Sequence, residues 1–298
     1  MRNQDMIRKW IDAFIRDCRV RDLSPFTVEY YRAQLAAFEA FTRAQDVTTI
    51  PAISPDLIRA YLLQLEATGH NAGGRHAKYR AVRVFLNWYQ AEAEPEAWTN
   101  PVTKVKPPKV AHEPIEGVSV ADVKAMLRAC PDSFIGLRDR AIILCLLDTG
   151  ARAREFLSLD VGDVDTIAGD VILRKTKNRK PRTVFLGRRS RRALRAYLKQ
   201  RTDQSAALWI TSQGERLAVS SLQGMLERRA RSAGIPKPSP HDFRRGHALM
   251  MLRAGTDVIT LARLMGHSSL EVLTRYVKQT TDDLHAAHAK ASPVDRIF

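Results

Sequence analysis

Cysteine is scarce in this chain of 298 residues: Cys18, Cys130 and Cys145 are odd in number, widely spaced and never in a C-x-x-C pair. Neither a disulfide framework nor a thiolate zinc site is supported, and a reducing cytoplasm is the expected compartment. Cys145 lies within an apolar run and reads as a core residue. No stretch of 18 apolar residues occurs, so no segment reads as a membrane span. The charged, amphipathic stretch Met1 to Arg21 lacks the apolar centre of a signal peptide, and there is no internal repeat. Acidic residues are also short, at 32 Asp and Glu against 48 Lys and Arg, a net charge of +16. That balance favours a polyanionic partner, with nucleic acid first among the candidates and a merely basic soluble protein as the bland alternative.

The basic excess is uneven. Residues 1–112 carry 16 basic and 12 acidic residues, and residues 113–298 carry 32 and 20. Between Asp170 and Arg201 stand 13 basic residues and one acid. Such a run is usually a solvated face; here it brackets an apparent β-hairpin, a place from which it can follow a DNA backbone.

Residues 1–99 read as helices. Ser24-Pro25 and Ser54-Pro55 each set an N-cap before a proline at the first helical position. Leu57, Tyr61 and Leu65, with Ile58 and Leu62 beside them, form one apolar stripe. A third helix, 74–91, buries Val82, Phe85, Leu86 and Tyr89 and leaves Arg75, Lys78, Arg80 and Arg83 for an outer basic face. Residues 100–117 contain four prolines, which favour extended backbone. The stretch reads as an interdomain linker whose Lys104 and Lys106 suit a strap along phosphates or a plain solvated loop.

Beyond it, Ser119 caps a helix to Ala129, and the unbroken apolar run Ala141 to Leu147 marks a central helix. Asp170–Arg174 and Arg182–Leu186 read as two strands around a basic tip that holds Lys175, Lys177, Arg179 and Lys180. Helices follow at 189–201, 221–233, ending at Gly234, and 242–254. Ser268 with Glu271 forms a capping box for a last helix that carries Tyr276.

The chemistry concentrates in the second half. His241 and Arg244 stand at H-x-x-R spacing, His267 follows Gly266, Tyr276 comes nine residues later, and Arg152 follows the turn Thr149-Gly150-Ala151. Two arginines, two histidines and a tyrosine are the groups needed to hold a phosphodiester and attack it with a phenol. No carboxylate cluster accompanies them, so charge stabilisation by protein groups is the expected route, with no cofactor.

In this order the motifs resemble the tyrosine recombinase or phage integrase family, Xer-type enzymes included, over essentially the whole chain. The resemblance implies a mainly α fold. An N-terminal SAM-like core-binding domain (1–99) and a linker (100–117) precede an α-rich catalytic domain with a small antiparallel β-sheet (118–298), the DNA breaking-rejoining fold. It implies that Arg152 and Arg244 hold the phosphate. His241 would accept the tyrosine proton or bond the phosphate, His267 would donate a hydrogen bond, and Tyr276 would be the nucleophile. Lys177, with Lys175 as competitor, would be the general acid. Arg245 stands where the family often has histidine and joins the basic residues above as a DNA contact.

The implied partners are duplex DNA bearing a recombination site, further copies of the chain in a tetramer, and accessory proteins. The helices begin almost at once, so no arm-binding domain is expected ahead of them, which favours a simple Xer-like or transposon-type enzyme. A type IB topoisomerase and a non-catalytic DNA-binding regulator are the other classes this pattern admits.

Overall fold

The computed structural model describes residues 6–110, 117–174, 181–266, 285, 288–289 and 291–297. The chain divides into two compact units, Met1–His112 and Glu113–Phe298. In the first, α1 (Ile7–Val20), α2 (Pro25–Ala44), α3 (Pro55–Ala67) and α4 (Ala72–Ala93) surround one apolar core. The side chains of Ser24 and Ser54 accept the amides of Thr27 and Leu57 at 3.1 Å each, so each helix starts where its Ser-Pro pair directs. Asn71 caps α4 in the same way. Phe14 lies at the centre, with ring centroids 5.3 Å from Tyr31 and Trp88 and 5.8 Å from Phe85. The edge-on contacts with Tyr31 and Phe85 add to the area they bury.

The expected linker begins too early. Val102 and Val105 are buried in this same core. The Tyr79 hydroxyl donates to the Val105 carbonyl at 2.5 Å, and the Asn100 side chain donates to Asn87 and Gln90 while accepting the Val102 amide. Two valines and a capping asparagine outweigh the prolines here, and Pro101–Lys104 forms a 3₁₀ turn. The expected basic face of α4 also divides: Arg80 and Arg83 are exposed, whereas Arg75 pairs with Glu66 at 2.8 Å and Lys78 donates to Gln34. Lys104 and Lys106 are exposed and line a recess with Arg59, Arg75 and Lys109.

In the second unit, α5 (Val120–Arg128) leads to α6 (Phe134–Thr149), the buried helix expected from the apolar run. After α7 (Ala153–Leu157) come strands β1 (Asp170–Leu173) and β2 (Arg182–Phe185), antiparallel with Leu173 opposite Arg182. Val171, Leu173 and Val184 face the core while Ile172 and Phe185 face out, the alternation of a half-buried sheet. Helices α8 (Arg188–Lys199), α9 (Val219–Ala233), α10 (Pro240–Arg253) and α11 (Val258–Met265) follow. Helix α6 packs against both α8 and α10. Among the described residues no helix is long and apolar enough to cross a membrane.

A buried carboxylate stitches this unit together. Asp139 on α6 has no solvent exposure and takes Arg138 at 2.8 Å and Arg229 from α9 at 2.8 Å. Those guanidiniums also donate to the carbonyls of Ile210 and Ala129. Removing the carboxylate leaves two cations buried without a counter-charge. Asp139→Ala is expected to lower the unfolding free energy by about 3–5 kcal/mol, read from urea denaturation; a loss below about 1 kcal/mol contradicts this account.

Candidate active site

An α-helix leaves its last four carbonyls without intrahelical partners, and its C-terminal end is the negative pole. The end of α11 presents such carbonyls to the interior of the second unit, and three arginines from three elements collect them. Arg182 of β2 donates through Nε to Leu264 O at 3.0 Å, Arg244 of α10 through Nη2 to Met265 O at 2.8 Å, and Arg152 through Nη2 to Gly266 O at 3.4 Å. Gly266 closes the helix in the left-handed region at φ 63°.

Beneath the arginines lies Glu155, 3% exposed. Its Oε1 accepts Arg152 Nη1 at 2.9 Å; its Oε2 accepts Arg182 Nη2 at 2.7 Å and the Arg152 amide at 3.1 Å. Burial alone would raise the Glu155 carboxyl, but the hydrogen bonds and charges of Arg182, and the bonds from Arg152, outweigh it and hold the group below the usual carboxylate range. Arg152 thus pairs with Glu155 at 2.9 Å and, about one-third exposed, reaches the α11 end as well. Arg154 is exposed on the outside of α7.

The turn before Arg152 is set by Gly150, at φ 55° after α6. Any side chain there is strained, and a Cβ would lie 2.5 Å from the His247 ring. The Gly150 carbonyl accepts Arg244 Nη1 at 2.6 Å, so one turn positions one arginine and binds the other. Arg244 is 2% exposed. His247 backs this turn, with Nδ1 2.9 Å from the Leu147 carbonyl.

His241 sits in the first turn of α10, which begins at the Ser239 cap. The residue is exposed overall, yet its pKa is lowered. Desolvation on the side of the ring that faces protein is the leading cause, followed by the positive fields of Arg245 and Arg244; Asp242 opposes them. The lowered value favours a neutral imidazole, the form that accepts a proton. Arg245 pairs with Asp242 at 3.2 Å.

Of the expected site residues, the structure thus brings Arg152 and Arg244 to one helix end and sets His241 one turn before Arg244. Lys175, Lys177, Arg179, Lys180, His267 and Tyr276 lie outside the described residues. Sequence reasoning missed α11 and the convergence of Glu155 and Arg182 on it. A signal was present in Asp257, which caps the helix by accepting the Thr260 amide at 2.8 Å, and in Gly266 at its other end. Eight residues are too few to display a helical period.

Two family models match the chain: that of the phage integrase family over residues 118–282 and that of the phage integrase N-terminal SAM-like domain over residues 11–93. A tyrosine recombinase XerC of Pelobacter propionicus is 30% identical over 282 residues, covering 93% of this chain and 92% of that protein. A tyrosine recombinase XerA of Thermococcus kodakarensis is 28% identical over 241 residues, covering 80% and 82%. Among solved structures, the Tn1549 transposon integrase in complex with transposon right end DNA matches with a TM-score of 0.78 at 16% identity, over 96% of this chain and 99% of that one. The XerH site-specific recombinase bound to its difH substrate matches at 0.71 and 18%, over 94% and 83%. At those identities the likeness to solved structures is one of fold; with the family models and the sequence relatives beside it, the chain belongs to the phage integrase family, the tyrosine recombinases.

Proposed function

We propose that this recombinase cuts and rejoins duplex DNA at a specific site through a 3′-phosphotyrosyl intermediate. The observation that carries the proposal is the convergence of Arg152 and Arg244, from a turn and a helix far apart in sequence, on the end of α11. Fixed cations in a partly buried setting are what a phosphorane needs as charge develops on its nonbridging oxygens. A guanidinium has five N–H donors, so the bonds of Arg152 to Glu155 and Gly266 leave others for a phosphate.

In the proposed reaction the Tyr276 oxygen attacks the scissile phosphorus. His241 accepts the phenol proton or bonds the phosphate, and His267 donates a hydrogen bond to it. The bond to the 5′-oxygen breaks, and Lys177 supplies the proton that makes it a hydroxyl. A 5′-hydroxyl from a partner duplex then attacks the phosphotyrosyl ester, which retains the energy of the original bond. Strand exchange uses four copies on two paired sites, with accessory proteins as further partners. The proposed DNA contacts are Arg80, Arg83, Lys104 and Lys106 of the first unit and Lys175, Arg179, Lys180 and Arg245 of the second, whereas Arg75 and Lys78 are engaged by Glu66 and Gln34.

Tyr276→Phe is expected to bind DNA normally and form no covalent adduct on a nicked duplex; an adduct in this variant places the nucleophile elsewhere. Arg152→Ala and Arg244→Ala are each expected to slow cleavage by about 100-fold or more, and a near-normal rate in either removes that arginine from the chemistry. A substrate with sulfur at the 5′-bridging position has a leaving group that needs no proton, so it should restore cleavage to Lys177→Ala and not to Lys175→Ala. Rescue of the latter alone reassigns the general acid.

His241 yields a pH test. Arg245→Gln removes one of the positive fields that lower its pKa and releases Asp242, which raises it. The imidazole pKa, followed by NMR titration, should move up, and the acid limb of the cleavage profile should move to higher pH with it. An unmoved or lowered pKa excludes this electrostatic role for Arg245.

A further inference from the structure

We infer that Arg182 is a positioning residue that frees the charge of Arg152 for the phosphate by neutralising Glu155. The inference rests on the proposed role of Arg152 as a phosphate ligand.

The argument is one of charge and geometry. Glu155 is buried and touches Arg152 at two points, the guanidinium on Oε1 and the backbone amide on Oε2. Alone, Arg152 and Glu155 would be a neutral pair: N–H donors would remain for a phosphate, but no net charge. Arg182 adds the missing positive charge: its Nη2 lies 2.7 Å from Glu155 Oε2, and its side chain is 12% exposed. With both arginines present, one carboxylate serves two cations and the trio carries a net positive charge. Arg182 is itself held by its Nε bond to Leu264 O. It cannot swing away from the carboxylate without breaking its hold on α11. Burial separates the two arginines: the Arg182 side chain is 12% exposed, with Nε and Nη2 on protein acceptors, against 33% for Arg152.

A clasp that merely held β2 against α11 would show the same contacts, and charge separates the two roles. The test is single-turnover cleavage by the full chain on the recombination site recovered from trapped covalent adducts, with DNA affinity and thermal unfolding measured beside it. Arg182→Met keeps the length of the stem and removes the charge. It is expected to slow cleavage by about 10- to 100-fold with DNA affinity little changed. Adding Glu155→Gln removes the carboxylate that had claimed Arg152, so the double variant should regain much of the loss, a coupling that two independent structural defects would not show. A scissile methylphosphonate lacks the nonbridging negative charge, and on it the Arg182→Met defect should shrink. A double variant as slow as or slower than the single one, with an equal defect on both substrates, overturns the inference in favour of the clasp. Arg182→Lys keeps the charge and provides the comparison should Arg182→Met fail to fold: near-normal cleavage supports the inference, and a folded Arg182→Lys as slow as Arg152→Ala overturns it. Arg152→Ala, run in parallel, keeps the two readings apart. If it cleaves normally, the proposed role of Arg152 fails; if it is slow while Arg182→Met is normal, only the role of Arg182 fails.

Discussion

The unpaired carbonyls at the end of one short helix organise the catalytic unit. Backbone acceptors away from water need donors, and α11 satisfies its last ones with guanidiniums in place of backbone amides. The negative pole of the helix suits positive charge, and the planar fork of arginine reaches a carbonyl while keeping N–H groups for a second partner. One helix end thereby sets the relative positions of the turn after α6, the strand β2 and the first half of α10.

Two buried carboxylates divide the remaining work. Asp139 ties α6 to α9 with both of its arginines directed to structural carbonyls. Glu155 faces the other way: one of its arginines anchors the sheet to α11, and the other stands about one-third exposed. Within this unit, one acid between two arginines therefore serves as a staple at Asp139 and as a seat for a partly exposed cation at Glu155. In a chain with a net charge of +16, acids used in this way keep close-set guanidiniums from repelling one another apart.

Much of this was legible in the sequence wherever the signal was local. Ser-Pro pairs marked the starts of α2 and α3, the run Ala141 to Leu147 marked the buried helix, and the two β-like segments around a basic tip marked the sheet. The ordered arginine and H-x-x-R motifs carried the family. What stayed hidden depended on contacts between distant residues. Val102 and Val105 look like linker until Tyr79 and the N-terminal core come to meet them. Arg182 looks like one more cation in a basic run, because neither the Glu155 carboxylate nor the Leu264 carbonyl is near it in sequence. The split of the α4 cations, with Arg75 on Glu66 and Lys78 on Gln34, has the same origin.

The position of α11 near the end of the chain also governs when the site comes into being. The bonds that order it join residues 82, 94 and 114 positions apart. During synthesis the N-terminal bundle, α6 and the hairpin leave the ribosome first, and for that interval Arg152 and Arg182 have no helix end to hold. Closure of such distant pairs comes late in folding because the intervening chain must already be ordered. The cluster of Arg152, Arg182 and Arg244 is thus complete only once the chain as far as Gly266 has emerged, so the order of synthesis becomes an order of assembly.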